Sequence, residues 1–287
     1  MDYMAEKNPL STIEILYDGC QEQPVDLDIT LPDYCPDIQK ILKCQVYPRI
    51  LDQSLAGDRL ELGGSYTVRV LYLGAEGSAV RCCESSSPFS ASIPLKRNIE
   101  EGKVKAFPRV EYINCRATSS RRLDIHGSFS LCARVLGRGD CEAVCGLSGD
   151  DVEQRRETAS YSRMSAFSVQ PFSVEEVLEL PSGKPEAENL IYSCAAVSLQ
   201  DYKVITNKVM VKGDVTLRLL YSSSLDSAVL ETMEYAIPFS QMLDCAGISE
   251  EMECDVRLSV VGTDVQIKND YSGGKVFFDA QVRISAD

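Results

Sequence analysis

The chain has 287 residues, 44% of them hydrophobic and 25% charged, a length and composition that suit about two packed domains. It carries 43 acidic against 29 basic residues, and the formal net charge of −14 repels phosphate backbones and anionic lipid head groups, so nucleic acid is set aside as a partner. The opening MDYMAEKNPLSTIEILYDG has no basic segment followed by an apolar run, and no stretch approaches the roughly 18 apolar residues of a membrane span. The expectation is a cytoplasmic protein whose cysteines are mostly free thiols.

Along the chain, VDLDITLPD reads as a strand with Asp26 and Asp28 on its outer face. LPDYCPDIQKILKC, residues 31–44, then sets cysteines, aspartates and a tyrosine close together and invites a chemical reading. The chain supplies its own control at LPSGKPEAENLIYS, residues 180–193. Leu31, Pro32 and Pro36 return there as Leu180, Pro181 and Pro185, whereas Asp33, Tyr34, Cys35 and Cys44 become Ser182, Gly183, Lys184 and Ser193. What persists is architectural. Pro32, Pro36 and Ile41, with Pro181 and Pro185, are therefore read as a structural joint, a short helical turn in which Ile38, Ile41 and Leu42 plug the end of a sheet pair.

The register between the two stretches holds without a gap from Leu31–Tyr72 to Leu180–Tyr221, which marks a duplication. Its best part pairs GSYTVRVLY with GDVTLRLLY, a shared G-x-x-T-x-R-x-L-Y with period-two alternation, so both copies are expected as half-buried strands with Tyr72 and Tyr221 inward. Further on, IPL at Ile93–Leu95 is matched with IPF at Ile237–Phe239, and VKAFPRVEY with MECDVRLSV. The last strand of each copy, LDIHGSFSLCARV and VFFDAQVRI, points Leu123, Ile125, Phe129, Leu131, Ala133 and Val135, or Val276, Phe278, Ala280, Val282 and Ile284, into a core. A second helical turn is expected at Phe239–Cys245, and hairpin turns at LGAEGS and NDYSGGK. One-sided alternation favours antiparallel sheets. The fold class is all-β: two tandem, similar antiparallel β-sandwich or open-barrel domains with very few short helices, residues 1–140 and 167–287, joined by a linker at 141–166.

Candidate chemistry is thin. Cys141 and Cys145 are two thiols without a second pair, where a structural zinc needs four ligands. His126, the only histidine, falls on the polar face of its strand, about 20 Å along it from Cys132 at the usual rise per residue. No G-x-S-x-G turn raises a serine, and DYSGGK lacks the spacing of a phosphate loop. Asp26 and Asp28 become Glu175 and Val177 in the second copy, which favours a solvated acidic face over calcium. A sugar hydrolase would want aromatic platforms, and tryptophan is absent. No catalytic residue, cofactor or metal is expected. The charged identity kept in mid-strand, Arg69 and Arg218, is either an exposed cross-strand ion pair or a contact with a partner or with the other domain.

VDLDITLPDYCPDIQKILKC, GSYTVRVLY, and VKGDVTLRLLY followed by EYAIPFSQ together resemble the SPOCS domain of clostridial spore-envelope proteins such as SipL. The resemblance covers nearly the whole chain as two tandem copies. It implies a non-enzymatic protein-interaction module in spore coat or cell-envelope assembly in a Gram-positive anaerobe. Such a protein would be made in the cytoplasm, act at the developing spore surface and bind a spore-coat or envelope protein. No LysM module follows Asp287, which leaves peptidoglycan contact open. The alternative is a carbohydrate-binding or carbohydrate-processing envelope protein, to be separated by whether tyrosines gather on an open sheet face or lie in the core.

Overall fold

The computed structural model describes the chain except residues 1–3, 76–78, 97, 100–101, 149–152, 154, 156, 159, 161–165, 224, 227–228 and 270–275, and leaves the side chains of 11–13, 138 and 140 undescribed. The expected NDYSGGK turn and part of LGAEGS lie outside the described residues. Among those described, all regular elements are strands. The first repeat holds β1 (Met4–Thr30), β2 (Ile38–Ala56), β3 (Arg59–Gly74), β4 (Val80–Pro94), β5 (Gly102–Ser119) and β6 (Arg122–Ser148). The second holds β7 (Gln170–Glu179), β8 (Ala187–Ile205), β9 (Lys208–Ser223), β10 (Leu230–Asp244), β11 (Leu258–Asn269) and β12 (Val276–Ala286).

Each repeat is a sandwich of two three-stranded antiparallel sheets. The first pairs β1-β6-β5 and β2-β3-β4; the second repeats the order as β7-β12-β11 and β8-β9-β10. The duplication read from the sequence is thus carried into strand order. Tyr66 on β3 packs against Phe129 on β6 with ring centres 5.6 Å apart, and Tyr221 on β9 against Phe278 on β12 at 5.7 Å, so in each repeat the two sheets pack on a shared core, with a second, smaller cluster around Val211, Leu243 and Ile248 in the second repeat. Tyr72 and Tyr221 are fully buried, as the alternation requires. The inward residues expected of β6 and β12 hold their places, with Val276 partly covered.

Both helical turns are corrected to strand. Ile38, Ile41 and Cys44 all face the core, yet they lie on β2, where bulges at Ile38/Lys40 and Ile41/Lys43 each insert one residue. Two bulges stretch the period of 2 into steps of 3, which imitates helical spacing. Leu42, expected inside, is 47% exposed. β8 carries bulges at the corresponding places, Ala187/Asn189 and Leu190/Tyr192, and a third bulge is also shared, Ile50/Asp52 with Leu199/Asp201. Phe239–Cys245 belongs to β10 up to Asp244.

The third bulge explains the glycine of the shared motif. A Cβ on Gly64 would lie 2.0 Å from the carbonyl oxygen of Arg49 and 2.8 Å from the Phe89 ring; one on Gly213 would lie 2.2 Å from that of Ser198 and 2.7 Å from Phe239. Any side chain there would push the neighbouring strand away. The same register corrects the IPL/IPF match: Phe89 lies opposite Gly64 and Phe239 opposite Gly213, so Pro88-Phe89-Ser90 is the counterpart of Pro238-Phe239-Ser240. In MECDVRLSV the ladder begins only at Leu258, and Met252 faces outward.

β1 and β6 continue as a pair far beyond the sandwich. β5 accompanies β6 only as far as Gly137, whereas β1 and β6 stay paired out to Met4 and Ser148, into the stretch read as linker from 141.

Candidate functional site

The two repeats meet at a seam built around Arg69. Its position in β3 turns the side chain away from the core and toward the second repeat, leaving 17% of it exposed. The guanidinium pairs with Glu84 on β4 and donates from Nη1 to the Ser193 carbonyl on β8 at 3.1 Å. It also lies between two rings, 5.4 Å from the centre of Tyr47 and 5.3 Å from that of Tyr192, one from each repeat. The two phenols are hydrogen-bonded at 3.1 Å. Burial, followed by that bond, pushes the Tyr47 hydroxyl far above the ordinary tyrosine range. Arg218, the same position in the second repeat, pairs with Glu234 at 2.6 Å and stays 66% exposed. One motif position therefore yields an interdomain clamp in one copy and an open surface ion pair in the other. A further interdomain contact, Lys105 to Asp287 at 2.9 Å with Lys105 over the Phe167 ring, was not legible in either repeat alone.

The Pro32–Pro36 segment links the two sheets of the first repeat, from β1 to β2, and Arg121 fastens it. From the β5–β6 turn, this guanidinium donates to the carbonyls of Cys35 (3.1 Å), Pro32 (2.7 Å) and Leu31 (3.4 Å) and to the Asp37 carboxylate (2.9 Å). Hydrogen bonds from Ser120 and Arg121 hold the Asp37 carboxyl below its usual range. Tyr72 reaches the Pro36 carbonyl at 3.5 Å, and Tyr221 the Pro185 carbonyl at 3.1 Å, so the second proline frames the same contact in both copies. Burial raises the Tyr72 hydroxyl to about 12. Cys35 is replaced in the second copy by Lys184, which pairs with Glu231 at 2.6 Å. The local sequence shows the prolines but not Arg121, whose role depends on a turn distant in the chain. Ile41 packs on the first core opposite Tyr72.

On the outer face of the β1-β6-β5 sheet, His126 sits between two carboxylates, Nδ1 3.2 Å from Asp26 and Nε2 2.8 Å from Asp124. These three side chains are close enough together to share an ion. Arg116 lies 2.6 Å from Asp124, however, and supplies a positive charge of its own, while Asp28 pairs with Arg122. Charge-paired surface groups account for the arrangement.

The expectation of reduced cysteines is corrected at one pair. Cys20 and Cys132 face each other in the β1–β6 register with Cα atoms 4.0 Å apart, and they form a disulfide. Strand pairing places the two side chains together, which their separation in sequence hides. The remaining ten of the twelve are free, with Cys141 and Cys145 exposed. Cys44 and Cys115, from opposite sheets, share a hydrogen bond that lowers the Cys44 thiol and raises that of Cys115.

Residues 37–118 and 186–268, more than half of the chain, match the family described as SipL, SPOCS domain. The chain belongs to that family. Each match begins just after the second proline of the joint and runs through the G-x-x-T-x-R-x-L-Y strand to β5 or β11, so it takes in four of the six strands of each sandwich, once in each repeat. Membership suggests a sporulation-related protein. No curated protein and no solved structure matches the chain significantly. Among the described residues, no helix is long and apolar enough to cross a membrane.

Proposed function

We propose that this SPOCS protein is a non-enzymatic interaction module that assembles with a protein component of the spore coat or cell envelope. The observation that carries the reading is the two-stranded ribbon of β1 and β6 beyond Gly137. No third strand pairs with it among the described residues, and Met4 (73% exposed) and Val144 (61%) lie open on it. A two-stranded ribbon is marginal in water, and a strand added along it by another protein would complete it as a sheet. A position at the developing spore surface, with the protein made in the cytoplasm, accords with the family. The Cys20–Cys132 disulfide accords with an oxidising surrounding at that surface. Buried Tyr72 and Tyr221 support a protein partner over a carbohydrate. Among the described residues, the exposed tyrosines Tyr34, Tyr112 and Tyr202 stand on separate segments rather than forming one platform.

The test is affinity capture from sporulating cells with the native chain and with Ala143→Pro, which removes a ladder hydrogen bond from the ribbon and leaves the sandwiches untouched. A coat or envelope protein held by the native chain and released by the variant is the expected result. Equal capture by both, or retention of both on peptidoglycan without a protein partner, would overturn it.

A further inference from the structure

At the seam the two repeats line an open cleft of about 530 Å3 whose charged walls come from both, with Arg283 exposed to solvent. The first repeat contributes Arg49, Arg69 and Glu84; the second contributes Asp264 and Arg283. Arg69 is already committed to Glu84 and to the Ser193 carbonyl. Arg49 and Arg283 have no hydrogen-bonding or ion-pairing side chain among the described residues. Burial works against the charged form of Arg49, the positive fields of Arg283 and Arg69 add to that, and Glu84 and Asp264 only partly offset it. Guanidinium groups gathered this way repel one another, in a chain whose formal net charge is −14.

The duplication supplies an internal control. Arg49 lies opposite Ser65 on β3, and the corresponding place opposite Asp214 on β9 is Ser198. Arg283 lies opposite Gly262 and Ser173, and the corresponding place opposite Tyr112 and Pro24 is Ser128. Arginine thus stands at each position only in the copy that faces the cleft, with serine in the copy that does not. Gly262 adds a third asymmetry. A Cβ there would come within 2.9 Å of Arg283 Nε, so the glycine seats the guanidinium against the bulge of β11; its counterpart is Tyr112. The features common to both sandwiches do not require any of these three residues.

We propose that this cleft binds a phosphate-type oxyanion, free or carried on a small phosphate monoester, between Arg49 and Arg283. Two guanidinium forks that approach from different repeats offer donors in different planes. A tetrahedral oxyanion has acceptors for both, whereas a planar carboxylate satisfies one fork. The site is separate from the ribbon and does not depend on the partner proposed for it.

The experiment is calorimetric titration of the full chain with inorganic phosphate, glycerol phosphate and acetate at matched ionic strength, repeated with Arg49→Gln, Arg283→Gln and Gly262→Ala. Saturable phosphate binding that falls about tenfold or more in each arginine variant is expected, the size associated with losing one charge-assisted contact. Gly262→Ala keeps every charge and should weaken binding by displacing Arg283. Thermal melts of the variants identify any that fail to fold, and the comparison is then made with the variants that do. Tighter binding of glycerol phosphate would identify the ester as the ligand, and tighter binding of inorganic phosphate the free ion. Absence of saturation, acetate binding as tightly as phosphate, or unchanged affinity in the folded variants would overturn the proposal.

Discussion

The guanidinium of Arg69 lies over the ring of Tyr192, 5.3 Å from its centre, although the two residues belong to different repeats. With the bond to Ser193 and the second ring of Tyr47, this makes Arg69 the principal side-chain link across the seam. Arg69→Ala is expected to cost about 2–3 kcal/mol, combining a charged hydrogen bond with partly desolvated cation–π contacts. Arg218→Ala should leave the urea midpoint where it is, because its ion pair is solvent-exposed. Urea denaturation of both variants checks the contrast. Equal effects would mean that the seam contributes nothing beyond a surface pair.

Thiol counting tests the disulfide. Denatured, unreduced protein should titrate ten thiols, rising to twelve after reduction, since only Cys20 and Cys132 are joined. Cys20→Ser should lower stability by about 2–4 kcal/mol, the usual effect of losing a bond that closes a long loop. Twelve reactive thiols before reduction would rule the bond out.

Ile41 and Leu42 are adjacent, and the bulged register of β2 makes them unequal. Ile41→Ala should cost about 2 kcal/mol, at the low end for an aliphatic truncation because the side chain is only partly buried, while Leu42→Ala should change stability by less than about 1 kcal/mol. A helical turn, with Ile38, Ile41 and Leu42 on one face, would penalise both. Chemical denaturation of the pair therefore discriminates bulged strand from helix.

The fastening of the joint by Arg121 carries a pH signature. The Asp37 carboxyl is held below the ordinary aspartate value of 3.8, so its contribution to stability is present above that value and is lost as the pH falls through the lower folded value. Asp37→Asn should remove this part of the acid sensitivity. The measurement is the difference in urea midpoint between native and variant chains at neutral pH and near pH 3: it should shrink on acidification, and a difference that stays constant would exclude the carboxylate as the cause. Cys35→Ser should leave fold and partner binding nearly unchanged, because the second repeat manages with Lys184 at that place.

Much of this architecture is legible in the amino-acid sequence alone. Period-two alternation in GSYTVRVLY and its repeat places Tyr72 and Tyr221 in the cores, and the gapless register from Leu31 to Tyr72 announces two copies of one fold. These features are local, set by side chains that must alternate across a pleated strand. The sequence misleads where spacing is ambiguous, since bulges put Ile38, Ile41 and Cys44 inward at steps that a helix also uses. It is silent where function depends on which surfaces meet. Arg69 and Arg218 sit in the same motif, and only the docking of the second repeat onto the first makes one a clamp and leaves the other at the surface. Cys20 and Cys132, Arg121 and the carbonyls of the joint, and the Arg49–Arg283 cleft belong to the same class. Each joins residues far apart in the chain, and chain folding rather than local residue preference brings them within bonding distance.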